Sequence, residues 1–533
     1  MIFRRLFKFT SSSVTSAALL LGGASLLSRL LGLLRVRIFA YRFGAGQALD
    51  MYNAAFRIPD LIFTIIIMGA VSSAFIPIFT SSRFTKDKKN QWLLANNFLH
   101  IFSFIVLLLA IVLMIVAPYL IKIIAPGFSA EAQTTTTMMT RIMLIQPILL
   151  AISGIISGIL QSFNIFFAFA LSPLLYNVGI ITGALFFARW WGVFGLAWGV
   201  VLGAGLHLLI QLPSLPSTGY RYKFYINWKD VLMRKIIKLT IPRSIGLITS
   251  QLNTIVTVAI ASTLAVGSIA IFTYANDIQY VPLGTVGIAF ATAAFPLLSA
   301  AFAKKELENF RKIFLRAVLE TLYLAIPMAI AFFFLRYEIT SVLLRTGKFG
   351  LEEVGITAAT IALFCIGIPF QALVPLLSRA FFAVHNTIIP VMVNLFATGI
   401  NIVIALWLIK IPQLFPMFNV EGDKRILALP FAYSLAAILN VLLLWVFLGR
   451  KIGRIKYREI TIAIFKFLIA GLALGLTLLL SRNFLYQYLD TEKVLNLLII
   501  GVVSGLIGIL VYLLISYLLK IKEIKSIVKV FRR

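Results

Sequence analysis

Charged residues are scarce in this chain. Only 12% of its 533 residues are Asp, Glu, Lys or Arg, whereas 61% are hydrophobic. A soluble globular domain has about 25% charged and about 45–50% apolar residues. The shortage of charge excludes a series of ordinary soluble domains, and no long polar linker divides the chain. The composition therefore predicts a single membrane-embedded protein.

Residues that carry catalytic or metal chemistry are also few. Cys365 is the only cysteine, which excludes an internal disulfide and a cysteine-based metal cluster. The three histidines, His100, His207 and His385, show no paired metal-ligand spacing, and there is no G-x-x-x-x-G-K-[ST] phosphate loop. The sequence thus favours a transporter over an enzyme, and we expect neither a cofactor nor a metal.

Acidic residues are the scarcest charges, with 18 Asp and Glu against 48 Lys and Arg, for a net charge of +30. In a soluble protein this charge would indicate nucleic-acid binding. Here the basic residues cluster in short segments between apolar runs: three in 1–13, six in 216–238, five in 449–459 and six in 520–533. Lys and Arg concentrate in cytoplasmic loops of membrane proteins. The pattern predicts an even number of spans with both termini in the cytoplasm, and argues against nucleic acid.

Long apolar runs define the fold class, because a membrane-spanning helix needs about 20 apolar residues. We predict an all-α polytopic membrane protein of about fourteen helices. The predicted helices lie near residues 14–42, 50–82, 93–122, 134–162, 164–188, 192–215, 239–265, 268–300, 310–336, 352–384, 388–411, 426–448, 460–482 and 493–519.

The chain also repeats itself at an offset of about 220 residues. The stretches PGFSAEAQ and GKFGLEEV correspond, and matched positions include the pairs Pro147 and Pro369, Asn177 and Asn394, and Tyr52 and Tyr274. Six helices per copy give both copies the same orientation, and parallel repeats are related by an axis along the membrane normal. We predict two six-helix lobes at residues 1–220 and 221–455. Residues 456–533 would hold two further helices and a basic cytoplasmic tail.

Three arginines interrupt the first apolar run, LLSRLLGLLRVRIF, at Arg29, Arg35 and Arg37. A charge at the centre of a membrane helix costs about 2.5–3.5 kcal/mol or more, so such residues usually face a cavity or a partner. Snorkelling to the interface suits Arg37 and Arg42, near the helix end, but suits Arg29 poorly. An aqueous cavity lined by arginine attracts anions, and the guanidinium fork fits phosphate oxygens.

Further polar residues interrupt other predicted helices. Helix 2 carries Asp50, Arg57 and Asp60, and the spacing of Arg57 and Asp60 also allows a mutual salt bridge. Arg243 follows a proline in helix 7, and Asp277 lies in helix 8. We take Arg29, Arg35 and Arg57 as candidate anion ligands, with Asp50, Asp277 and Arg243 as further candidates.

Several stretches resemble the MurJ/MviN-type lipid II flippases, which belong to the superfamily of multidrug and polysaccharide exporters. The resemblance covers about residues 14–450. It lies in SRLLGLLRVRIFAYRFGAGQALDMYNAAFRIPDL, GAVSSAFIPIF, APGFSAEAQTTTTMMTRIM, GLAWGVVLGAGLHLLIQLP, YVPLGTVGIAFATAAFPLLS and ALVPLLSRAFFAVHNTIIPV.

The resemblance implies a fold, a substrate class and a location. It implies two six-helix lobes around a central cavity, plus two helices that help to form a groove for a polyprenyl tail. The substrate would be an undecaprenyl-diphosphate-linked peptidoglycan precursor in the bacterial inner membrane, moved by alternating access. Partners would be this anionic lipid-linked substrate, membrane lipids and cell-wall synthesis proteins, with the chain as a monomer. Ser28, Arg29, Arg35 and Asp50 match family positions linked to function, and Arg57 matches a commonly basic position.

The chain departs from the family pattern at several positions. The family usually has an acidic residue directly after the arginine that matches Arg35, and this chain has Val36 there. The family usually has a glutamate just before the stretch GAVSSAF, and this chain has Met68 there. In the stretch YANDIQYVP the family usually has a basic residue and a nearby acid, whereas this chain has Asp277, Tyr280 near the usual acid, and no arginine. Arg243 would then compensate, or the substrate or the coupling ion would differ.

Three other functions remain open from the sequence. An ion-coupled small-molecule or drug exporter would depend on buried acids, which are few here. A flippase for another polyprenyl-linked oligosaccharide would use the same arginines. A membrane scaffold for cell-wall synthesis would tolerate loss of the helix 1 arginines.

The predicted topology can be tested with reporter fusions. Fusions at Arg83, Lys229, Lys304 and Arg533 should all report a cytoplasmic location, because the basic segments lie at these points. A periplasmic signal at any one of the four positions would contradict the fourteen-helix arrangement.

Overall fold

The computed structural model describes residues 14–82, 88–453 and 457–524. Within these ranges every named element is a helix, which confirms the predicted all-α fold. Arg83 and Arg533, chosen above for reporter fusions, lie outside the described residues. The long helices, named α1–α14 in chain order, are Val14–Phe43, Gln47–Ser82, Asn90–Ile124, Ala130–Ser162, Phe167–Trp191, Phe194–Thr218, Val231–Ser262, Ser268–Ala303, Leu307–Phe334, Leu351–Ala383, Ile388–Leu408, Lys424–Ile452, Arg458–Tyr488 and Val494–Leu518.

Twelve of these helices are long and apolar enough to cross a membrane. The two others are α1, which carries four arginines, and α7, which carries two arginines and two lysines in its first half. In α7 the segment Gln251–Ser262 is apolar but shorter. The count of fourteen spans therefore stays a prediction, while the order and approximate positions of the helices follow the sequence pattern.

Two differences from the sequence-based expectation concern the start of α7 and the connection between α9 and α10. Helix α7 begins at Val231, eight residues before the predicted start, because the Asp230 carboxylate accepts hydrogen bonds from the backbone N–H groups of Leu232 and Met233. This cap starts a helix inside a charged segment that hydropathy alone assigns to a loop. Between α9 and α10, where we expected a loop, lies a short helix, Arg336–Leu344.

The chain divides into two compact units, one ending at Ile269 and one beginning at Ala270. In the first unit α3 packs on α4, α4 and α5 pack on α6, and α7 packs on α2 and α3. In the second unit α9 packs on α10, and α10 and α11 pack on α12. The unit boundary thus follows α7, whereas the second sequence repeat begins with α7. The three-part division at residues 220 and 455 stays a prediction.

Two turns of the backbone have the same conformation at the offset of the sequence repeat. The α4–α5 and α10–α11 connections each contain one non-glycine residue with positive φ, Asn164 at 59° and His385 at 56°, and these are 221 residues apart. In both turns the residue after the positive-φ position donates its N–H to the carbonyl five residues earlier: Ile165 to Leu160, and Asn386 to Phe381. A π-helical segment also recurs, at Phe63–Met68 in α2 and Leu283–Gly287 in α8.

The last two helices pack on α9 of the second unit. Gly471 and Gly475 of α13 face Ile330 and Phe334, so that a side chain at either glycine would meet those residues at less than 3 Å. Tyr512 of α14 donates a hydrogen bond to the backbone oxygen of Tyr323 at 2.8 Å. Close backbone approach at small residues is how membrane helices associate where the hydrophobic effect is weak.

A close backbone approach in the first unit joins α5 and α6. A Cβ at Gly183 would lie 2.4 Å from the Cα of Gly199, and a Cβ at Gly199 would lie 2.6 Å from the Cα of Gly183. These are backbone atoms, so a side chain cannot rotate away to make room. The two helices are therefore held at a separation that only glycine permits.

We predict that Gly183→Ala destabilises the protein by about 1–3 kcal/mol, because overpacking forces the two backbones apart. Gly205→Ala on the same α6 is the matched control, since nothing lies within 4 Å of its new methyl group. The control should be neutral or slightly stabilising, because alanine favours helix more than glycine does. Thermal unfolding of the purified variants measures both, and equal melting temperatures for the two would show that this contact does not control stability.

Candidate anion-binding site

Two of the predicted arginines lie near a contact between α1 and α2 in the first unit. Arg35 lies four residues before Phe39 on α1, and Arg57 lies five residues after Tyr52 on α2. The Tyr52 ring is buried and packs edge-on against Phe39, with 5.2 Å between ring centroids. Tyr52 therefore stands between α1 and α2 and brings the two arginines to the same region.

A second tyrosine joins this region from α5. Tyr176 lies within electrostatic range of Arg35, Tyr52 and Asp60, and its hydroxyl oxygen is buried. We call Arg35, Arg57, Asp60, Tyr52 and Tyr176 the arginine–tyrosine cluster. Both arginines and Asp60 are half-buried. The cluster thus combines two fixed positive charges, two phenols that can donate hydrogen bonds, and one carboxylate.

Arg57 and Asp60 are each held by neighbours in the structure. The Arg57 Nε donates to the backbone oxygen of Asn53 at 2.9 Å, one turn earlier in α2. The Asp60 carboxylate accepts a hydrogen bond from Gln251 of α7 at 3.1 Å and lies within electrostatic range of Arg57. Gln251 also donates to the Thr64 hydroxyl at 2.8 Å. The carboxylate is thus oriented by an amide from another helix.

Ser28 and Arg29 lie about two turns before Arg35. Ser28 is half-buried, and the Asn177 amide of α5 approaches its hydroxyl at 3.5 Å. Arg29 is exposed, and among the described residues its side chain has no hydrogen bond or ion pair. Six residues of helix place Arg29 about 9 Å along the axis from Arg35. Its guanidinium is therefore available to a ligand.

Asp50 is buried, with 4% of its surface exposed. Its carboxylate accepts a hydrogen bond at 2.6 Å from the backbone N–H of Gly267, in the turn after α7. Gly267 has φ +93°, and a Cβ there would lie 2.1 Å from the backbone oxygen of Ala45. Asp50 therefore fastens the α1–α2 turn to the end of α7. Its predicted role as a gate or salt-bridge partner stays a prediction.

Asp277 and Arg243 are the two remaining predicted site residues. Asp277 is exposed on α8, in the second unit. Arg243 lies in α7 of the first unit, and its side chain is outside the described part of the structure. Their assignment to a substrate site stays a prediction.

Arg42, for which the sequence suggested snorkelling, is bound by another helix of the protein. Its guanidinium donates to the backbone oxygens of Ala184 and Leu185 at 3.0 and 2.6 Å. Both oxygens belong to a π-helical segment of α5, Gly183–Phe187. A π-helical turn departs from the regular i to i−4 hydrogen-bond pattern, and Arg42 supplies donors to two of its carbonyl groups.

The same arrangement occurs at the π-helical segment Phe63–Met68 of α2, where Ser244 of α7 donates to the Ile65 oxygen at 2.9 Å. Sequence reasoning missed Ser244, Gln251 and the two tyrosines. Polar residues in the apolar run of α7, ITSQLNTIVTV, were the available signal for Gln251. Tyr52 was noticed only as a repeat position.

The cluster can bind an anion by its chemistry. Guanidinium groups form paired, charge-assisted hydrogen bonds to phosphate oxygens, and neutral phenols add further donors. Arg35 and Arg57 supply two positive charges beside one acidic group, Asp60, whose carboxylate is already engaged by Gln251, and Arg29 adds a third charge two turns away along α1. The arrangement suits a ligand that carries more than one negative charge.

Comparisons with known proteins identify the family. A family model described as lipid II flippase MurJ matches residues 39–499. The chain is similar to the probable lipid II flippase MurJ of Buchnera aphidicola subsp. Acyrthosiphon pisum, with 31% identity over 71% of this chain and 75% of that protein. It is also similar to the lipid II flippase MurJ of Burkholderia cenocepacia, with 29% identity over 73% of this chain and 76% of that protein.

Solved structures give the same relationship. A structure described as lipid II flippase MurJ in an inward closed conformation matches with a TM-score of 0.73 and 25% identity, covering 94% of this chain and 98% of that one. An inward-facing MATE family multidrug transporter matches with a TM-score of 0.61 at 14% identity, covering 79% of this chain and 95% of that one, which shows a shared fold only. Since the family model spans most of its length, the chain belongs to the MurJ family of lipid II flippases.

Proposed function

We propose that this protein moves lipid II, the undecaprenyl-diphosphate-linked peptidoglycan precursor, across the bacterial inner membrane by alternating access. Family membership supports the substrate class. The observation that carries the proposal at the level of residues is the packing of Phe39 of α1 on Tyr52 of α2, because Arg35 and Arg57 lie four and five residues along these helices from the two rings. A diphosphate is the part of such a substrate that this cluster would recognise.

In this proposal Arg35 and Arg57 bind the diphosphate and Arg29 makes the first contact with it. Arg29 suits that role because it is exposed and has no hydrogen bond or ion pair with any described residue. Tyr52 and Tyr176 would donate hydrogen bonds to the diphosphate from the protein interior. The dielectric constant is low there, so that such bonds are stronger than in water. Both termini would lie in the cytoplasm, as the distribution of basic residues predicts.

An ion-coupled drug exporter is not favoured by the acidic residues of the first unit. Such a transporter needs carboxylates that can exchange a cation or a proton. Here Asp50 accepts the backbone N–H of Gly267 and Asp60 accepts the amide of Gln251. The likeness to the multidrug transporter is one of fold. We therefore retain the lipid-linked anionic substrate.

We predict that Arg29→Ala and Arg35→Ala each abolish lipid II transport while protein level and topology are unchanged. Loss of one charge-assisted contact should cost about 1.5–3 kcal/mol, or about ten- to hundred-fold in affinity. Arg→Lys should restore transport only partly, because lysine cannot form the bidentate fork. A lipid II accessibility assay in cells that depend on the variant measures this.

Lys312→Ala is the matched control for loss of one positive charge. Lys312 forms an exposed ion pair with Glu308 at 2.9 Å, and exposed pairs contribute little to stability. This variant should transport normally. Normal transport by a double Arg29→Lys and Arg35→Lys variant would contradict the diphosphate assignment, because it would show that only charge at the helix surface matters.

A further inference from the structure

A cleft of about 520 Å³ opens between α4, the end of α5 and the start of α6. All of its lining residues belong to the first unit, and the arginine–tyrosine cluster contributes none of them. Five of the six lining side chains are apolar or aromatic, and the sixth is an arginine. The lining residues are Met138, Arg141, Ile142, Trp191, Phe194 and Trp198.

The sequence of α4 indicates the depth of this cleft in the membrane. The helix begins with the polar run AEAQTTTT and becomes apolar from Met138 onward, so the cleft lies where polar sequence gives way to apolar sequence. The α5–α6 turn at the same level exposes Trp190 and Trp191, at 71% and 52%. Tryptophan is enriched where lipid headgroups meet hydrocarbon. The cleft therefore opens onto the boundary between headgroups and acyl chains.

Arg141 is the polar group of the cleft, and its side chain is oriented by a neighbouring helix. Its Nε donates to the backbone oxygen of Met114 in α3 at 3.0 Å. This is the only hydrogen bond that its side chain makes within the described ranges. The two terminal nitrogens of the exposed guanidinium can therefore donate to a ligand. Charge complementarity calls for an anion that also carries an apolar tail.

We propose that this cleft binds one membrane phospholipid. The phosphodiester accepts hydrogen bonds from the Arg141 terminal nitrogens, and an acyl chain lies against Met138, Ile142 and Trp198. A single guanidinium matches the single negative charge of a phosphodiester, whereas the diphosphate of a lipid-linked precursor matches the several arginines described above. Phospholipid is also the abundant anion at this depth. The proposal does not depend on the transport function.

Native mass spectrometry of the purified full-length protein with added phosphatidylglycerol tests the proposal. We expect one tightly retained phosphatidylglycerol, and about ten-fold weaker retention in Arg141→Gln, because one charge-assisted contact is lost. Arg189→Gln is the matched control, since Arg189 is an exposed arginine of α5, near the same helix end, that does not line the cleft. This control should retain the lipid as the unchanged protein does.

A second variant leaves the Arg141–Met114 hydrogen bond in place. Met138 is exposed at 47% and lies three residues before Arg141. The carboxylate of Met138→Glu would therefore form an ion pair with the Arg141 guanidinium and compete with the phosphodiester. It should weaken phosphatidylglycerol retention as Arg141→Gln does. Unchanged retention in both variants, or equal loss in Arg189→Gln, would overturn the proposal. The proposal would also be wrong if the cleft bound undecaprenyl diphosphate in preference to phosphatidylglycerol and this binding depended on Arg141. That result would assign the cleft to the substrate.

Discussion

A guanidinium inside an apolar membrane helix must find a partner, and this constraint organises the first unit. Leaving such a charge without compensation in hydrocarbon costs several kcal/mol. Arg42 meets the requirement within the protein, through two carbonyl groups of a π-helical segment of α5. Arg35 and Arg57 lie near the Tyr52 hydroxyl, and Arg57 donates through its Nε to the backbone oxygen of Asn53. The first solution is structural, and the second provides donors for an anionic ligand.

Polar contacts along α7 hold the other side of this region in place. Ser244 caps a carbonyl of α2, Gln251 orients Asp60, and the turn after α7 binds Asp50 through Gly267. Hydrogen bonds of this kind in a membrane are worth about 0.6–2 kcal/mol each. Together they join the middle of α7 and the turn after it to residues 50–65 of α2. The position of Asp60 beside Arg57 is therefore a consequence of how α7 packs.

Much of the fold could be predicted from the sequence because membrane spans and repeats leave a strong signal. Apolar runs located the helices, and the 220-residue offset recurs in the turns at Asn164 and His385. The arginines could be singled out because charge is rare in apolar runs. What could not be predicted depends on tertiary contacts: hydropathy does not reveal that π-helical turns offer carbonyl groups to Arg42 and Ser244, or that Asp50 accepts a backbone N–H.

The central claim is that the arginines of α1 and α2 recognise a diphosphate attached to a polyprenyl chain. The most direct measurement compares binding of lipid II, undecaprenyl diphosphate and undecaprenol to the purified protein and to its Arg35→Ala variant. The account predicts that both diphosphate lipids bind, that the alcohol binds much more weakly, and that Arg35→Ala weakens the diphosphate lipids about ten- to hundred-fold. Equal binding of the alcohol and the diphosphate, unaffected by Arg35→Ala, would contradict it.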